Sequence, residues 1–134
     1  MADESIRRRL PAERIGVTHR FSVSGHKGYI NVGMYEDGAP GEVFIVMAKT
    51  GSTISGLMDC FSIAISMGLQ YGVPLEAFAR KFVGQRFEPQ GFTTNSEIKE
   101  ATSVMDYIFQ WLAAKFDIDI DIDIDDDIKG DKDK

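Results

Sequence analysis

One cysteine, Cys60, stands in 134 residues. No disulfide can therefore close within the chain, and nothing points to an oxidising compartment. Long apolar runs are scarce too: none is expected to approach the roughly 20 residues of a membrane span. No apolar stretch follows the arginines of "MADESIRRRLPAERIG", so this is not the pattern of a secretory signal. A cytoplasmic location is the resulting expectation. The two histidines, His19 and His26, have no partners at metal-ligand spacing, and no metal site is expected. The length suits one domain with a real core.

What is present in excess is confined to one end. The net charge is −6, and residues 117–134, "DIDIDIDIDDDIKGDKDK", hold nine aspartates and three lysines. The 12 acidic and 12 basic residues of 1–116 cancel. The body thus offers no global electrostatic reason to bind nucleic acid, which is an unlikely partner on this count. The alternation of aspartate and isoleucine has the period of a two-faced strand, yet like charges about 7 Å apart repel along one face. It reads as a mobile acidic tail, with an edge strand, a chain-to-chain contact or ion binding as alternatives. Arg7, Arg8 and Arg9 fall in residues 1–14, read as an exposed arm. Residues 15–116 form the domain.

Within that domain, "VTHRFSV" (17–23) and "YINVGMY" (29–35) alternate apolar and polar residues, and "EVFIVMA" (42–48) is apolar on both faces. Gly-bounded turns separate them. A three-stranded antiparallel meander follows. His19, on an apolar strand face, reads as a hydrogen-bonded core residue. From Ser52 or Thr53 to Tyr71, Ile54, Leu57, Met58, Phe61, Ile65 and Leu69 recur at helical spacing. Gly56, Cys60, Ala64 and Gly68 are small and four apart, a packing or association seam in which Cys60 is a small buried residue. "GVPLEAFARKFVG" is a short helix between Pro74 and Gly84. "TTNSEIKEATSVMDYIFQWLAAKF" reads as one last helix opened by a capping box of Thr94 and Glu97. Tyr107, Phe109 and Trp111 lie on its packing surface. The fold class is α+β, with three helices on one face of the sheet.

The chemistry-bearing motifs fail on named residues. "GSTISGLM" has the glycine spacing of a P-loop but Leu57-Met58 where Lys-Ser must stand. "KTG" at 49–51 and "SGHK" at 24–27 echo acylating serine enzymes, but no Ser-Asp-Asn exists. What survives is a strand-to-helix junction. Lys49, Gly51, Ser52 and Thr53, with Arg86, are candidates to hold an anion through free backbone N–H groups. A plain helix cap is the alternative.

Several blocks recur in order: "GYINVGMYEDG", "GEVFIVMAKTGSTISGLMD", "LQYGVPLE" and "RFEPQGFT". Over about residues 10–116 they resemble the C-terminal, TSCPD-type region of adenosylcobalamin-dependent ribonucleotide reductases. The Thr-Ser-Cys-Pro-Asp signature is absent, and "TTNSEI" stands in the comparable place. The resemblance implies a link to deoxyribonucleotide synthesis and a family enzyme that uses adenosylcobalamin. It places the radical barrel and cobalamin site in polypeptide this chain lacks, so no cofactor is expected to bind here. Ribonucleotide reduction runs on a thiyl radical and dithiol couples, and one cysteine cannot run a dithiol couple. No catalytic residue is therefore assigned. The expected role is a non-catalytic accessory or regulatory module that binds the catalytic polypeptide or itself. The alternative is an independent domain binding a nucleotide or nucleic-acid phosphate at the 49–53 junction.

Overall fold

The structure, a computed structural model, describes residues 6–120. The acidic-tail reading falls largely on 121–134, outside the described residues. Five strands form one antiparallel sheet: β1 (Gly16–Val23), β2 (His26–Met34), β3 (Pro40–Met47), β4 (Gly91–Asn95) and β5 (Ile98–Ala101). The helices are α1 (Ser52–Gln70), α2 (Leu75–Phe82) and α3 (Val104–Lys115). The sheet order is β3-β2-β1-β4-β5. The meander of β1, β2 and β3 is therefore three-fifths of the sheet.

Ser24 and Gly25 close the first hairpin with φ of 52° and 84°. Two positive values between paired Val23 and His26 make the tight turn whose twist suits a two-residue hairpin. Phe21, Val23, Ile30, Val32, Val43 and Ile45 point to one side and are fully covered. Against them pack Ile65 of α1 and Tyr107, Ile108, Phe109 and Leu112 of α3. Phe61, Phe82 and Phe109 form an aromatic joint between the three helices, with centroids 5.4 Å and 5.1 Å from Phe82.

The expected last helix is corrected. Its first third is the β4–β5 hairpin, because Asn95 and Thr93 make local side-chain bonds that favour a turn. Asn95 Oδ1 accepts from the Glu97 N–H at 2.8 Å, and Thr93 Oγ1 accepts from the Asn95 N–H at 3.0 Å. Thr94 and Glu97 form no capping box. The cap that operates lies nine residues on: Ser103 is the N-cap, and its hydroxyl accepts from the Asp106 N–H at 2.9 Å. The Asp106 carboxylate returns to the Thr102 N–H at 2.9 Å and reaches the Gly84 N–H at 2.8 Å. One buried aspartate thus starts α3 and ties the end of α2 to it.

Helix α1 seals the sheet edge. Ser62 Oγ accepts from the Ile45 N–H at 3.1 Å, Ser66 Oγ from the Val43 N–H at 2.9 Å, and Gln70 Nε2 donates to the Gly41 carbonyl at 2.8 Å. Four helical residues rise about 6 Å, and two strand residues about 6.6 Å. A polar residue every fourth position therefore meets every second strand residue. By length and composition α1 is also apolar enough to cross a membrane, contrary to the expectation from the run lengths. Its Ser62, Ser66 and Gln70 are bonded to β3.

Residues 6–14 lie against the body at the far end of α1. Arg7 Nε donates to Gln70 Oε1 at 2.6 Å, and the Arg8 guanidinium sits 3.7 Å over the Tyr35 ring.

Candidate functional site

Because the hydrogen-bonding face of α1 goes to β3, its apolar stripe cannot be wholly buried. Ile54 is 47% and Leu57 61% exposed, though both were placed on the core stripe by their spacing. These side chains, with Cys60 and Phe61, form one wall of a groove of about 700 Å³. Met47 and Ala48 close it at the end of β3, and Phe87, Pro89 and Met105 form the opposite wall. The polar side chains on it are few: His26, Thr50 and Glu88. Such a groove binds by excluding water from apolar surface rather than by reacting.

The same geometry corrects the small-residue seam as a packing surface within the chain. Gly56, Cys60 and Ala64 are exposed, and only Gly68 is packed: a Cβ there would meet Phe78 Cζ at 2.7 Å. Cys60 is not a buried spacer but a free, exposed thiol on the groove wall. The residues facing β3 are instead Ser62, Ser66 and Gln70, and that ladder of polar residues four apart was readable as a signal.

The junction residues are arranged as follows. Gly51 is the N-cap of α1, with no side-chain cap bond and no acidic residue in the first turn. Lys49 holds a left-handed backbone, φ 57°, between the groove residues Ala48 and Thr50. Ser52 and Thr53 are the first two residues of the helix, both exposed. Arg86 does not join them through any bond among the described residues. Its guanidinium donates to Gln90 Oε1 at 3.1 Å in the loop before β4.

A second polar cluster was only half visible. His19 is hydrogen-bonded, as its strand face required, with Nε2 2.8 Å from the Tyr107 hydroxyl. Asn95 Nδ2 donates to the same hydroxyl at 3.1 Å, and Trp111 stacks on the imidazole at 4.5 Å. Desolvation holds the His19 pKa below its usual value, which favours the neutral ring. Burial pushes the Tyr107 phenol up, partly offset by the Asn95 bond. No buried side-chain nitrogen or oxygen among the described residues lacks a partner.

The described residues form a five-stranded α+β module with an open apolar groove beside α1. The chain belongs to the TSCPD domain family, whose pattern matches residues 5–116. It is similar to proteins named vitamin B12-dependent ribonucleotide reductase. The relative from Rhodopirellula baltica is 56% identical over 110 residues, 82% of this chain and 11% of the relative. That from Streptantibioticus cattleyicolor is 51% identical over 111 residues, 83% of this chain and 18% of the relative. One from Agrobacterium fabrum is 47% identical, covering 82% and 9%. The chain therefore spans less than a fifth of the curated relatives it matches. No solved structure matches significantly.

The described residues do not fit cobalamin. The corrin brings four nitrogen ligands to its own cobalt, so at most one further ligand would come from a side chain here, and the two histidines are the candidates. His19 is committed to Tyr107, and His26 contacts the Ser24 carbonyl at the groove margin. An apolar groove also offers little to a corrin fringed with amides. No step is routed through that group.

Proposed function

We propose that this chain is a non-catalytic accessory module related to vitamin B12-dependent ribonucleotide reductase. It acts by docking its α1 groove onto the catalytic polypeptide. One observation carries the reading: the groove is open in a chain that covers only 11% or 18% of its relatives. In a longer polypeptide such a face is where neighbouring protein packs. In this structure it is an exposed apolar patch, the usual mark of a protein interface.

The test is association with a reductase polypeptide that lacks this domain, followed by sedimentation. Wild-type chain should co-sediment, and Leu57→Asp should not, while melting unchanged within about 0.5 kcal/mol because the site is exposed. Cys60 reports the same event. Its thiol should react with a maleimide without denaturant and be protected in the complex. No co-sedimentation, or equal co-sedimentation by Leu57→Asp, overturns the reading. A self-associating chain whose Cys60 is protected without any reductase would mean that the groove serves a second copy. A nucleotide-induced rise in Tm that Lys49→Ala and Ser52→Ala abolish would favour anion capture at the helix start instead.

A further inference from the structure

The helices cover only one face of the sheet, and the other face is unusual for a solvated surface. Outward positions of an antiparallel sheet with one wet face are ordinarily polar. Here they carry aromatic rings on three strands: Tyr29 on β2 is 41%, Phe44 on β3 40% and Phe92 on β4 72% exposed. The register places Tyr29 opposite Arg20 and Val46, and Phe44 opposite Asn31. Tyr29 and Phe44 are therefore diagonal neighbours, about 7–8 Å apart.

The charge on this face differs from that of the chain. The side chains of Arg20 and Lys27 point outward from β1 and β2, and neither has an ion-pair partner among the described residues. Of the two carboxylates on this side, Glu42 is paired with Arg14 at 3.3 Å, and Glu100 lies at the far edge opposite Phe92. Asn31 Oδ1 accepts from the Thr18 hydroxyl at 2.7 Å, which fixes the amide and leaves its N–H₂ to donate outward. Exposed rings interleaved with unpaired cations and an oriented amide suit one ligand chemistry. Bases stack on the rings, phosphodiesters meet the cations, and the amide donates to a base edge.

We propose that the open face of β1, β2, β3 and β4 binds single-stranded nucleic acid, independently of the α1 groove. The sum of charges over residues 1–116 conceals this, because most of the 12 acids it counts lie off this face. A duplex cannot present splayed bases to rings set on a sheet, so it is not the ligand.

Fluorescence anisotropy of labelled oligothymidylate and oligouridylate, with the full chain at low ionic strength, tests the proposal. Both should bind, or one should bind more tightly and so identify DNA or RNA as the source. Tyr29→Ala with Phe44→Ala should weaken binding at least tenfold. Arg20→Ala should lower the log–log salt slope by about 0.7, the loss of one phosphate contact to a single strand. Arg20→Glu, at an exposed site that leaves the packing alone, should give a comparable loss if the aromatic pair fails to fold. Leu57→Asp should bind oligonucleotide as wild type does, which separates this face from the groove. No anisotropy change at tens of micromolar protein overturns the proposal, as does equal binding by the aromatic variant. So does a loss of reductase co-sedimentation in that variant, since the face would then dock protein.

Discussion

At the scale of single residues, two side chains carry more of the structure than their type suggests. Asp106 accepts from the N–H groups of Thr102 and Gly84 and from the Gln110 amide, all from a buried position. Asp106→Ala removes the acceptor of two backbone N–H groups, and a hydrogen bond to a charged group is worth about 1.5–3 kcal/mol. Urea melts should show a loss of about 2–4 kcal/mol, and Asp106→Asn a smaller one, since an amide oxygen still accepts. His19 makes stability depend on pH. Its folded pKa lies below the model-compound value of 6.5, so below that value the unfolded chain binds the proton that the folded chain resists. Its contribution is complete above about 6.5 and is lost as pH falls toward the folded pKa. The group facing it, Tyr107, titrates only at alkaline pH. Thermal melts from pH 7.5 to 5 should show Tm falling below about pH 6.5, and His19→Gln should flatten that limb.

Among the elements, α1 is the one whose sequence pattern misled most. Its period of apolar residues located the helix to within a residue at either end, yet two stripes compete on one cylinder. Spacing alone favours the stripe with Ile54 and Leu57 and the small seam. What decides is an unpaired strand edge, whose N–H groups cannot be left dry. Ser66 both accepts from Val43 N–H and donates to its carbonyl. Ser66→Ala should therefore cost about 1–3 kcal/mol by urea denaturation, far more than a serine-to-alanine change inside an exposed helix. It should also speed amide exchange at Val43, read by NMR. The β4–β5 hairpin was illegible for a related reason: Thr94 and Glu97 match a capping box as letters, while Asn95 and Thr93 bond locally and win.

For the whole molecule, the first three strands, α1, α2 and the body of α3 were legible because each has its own period, while the start of α3 was not. The meander, the Pro74 start of α2 and the α+β class all follow from local chemistry. The surfaces were not legible in that way. Which side of α1 is open, and which rings line the bare face of the sheet, depends on partners distant in sequence. Lys49 and Arg86 illustrate the limit: each is a plausible cation by type, but the fold gives them different neighbours. Cys60 illustrates it from the other side. Its size fitted a buried seam, and only the claim of Ser62 and Ser66 on β3 turned it outward.

The ladder along β3 has a consequence for how copies of the chain can meet. A strand whose outer groups are already bonded to its own helix cannot recruit a strand from a neighbour, and unpaired edges are how sheets join between molecules. Of the two rims of this sheet, that leaves β5, four residues long. A contact with one available rim per copy is satisfied by two copies facing each other, and then has nowhere left to grow. Strand pairing through β5 would therefore end at two copies and would not run on into a ribbon.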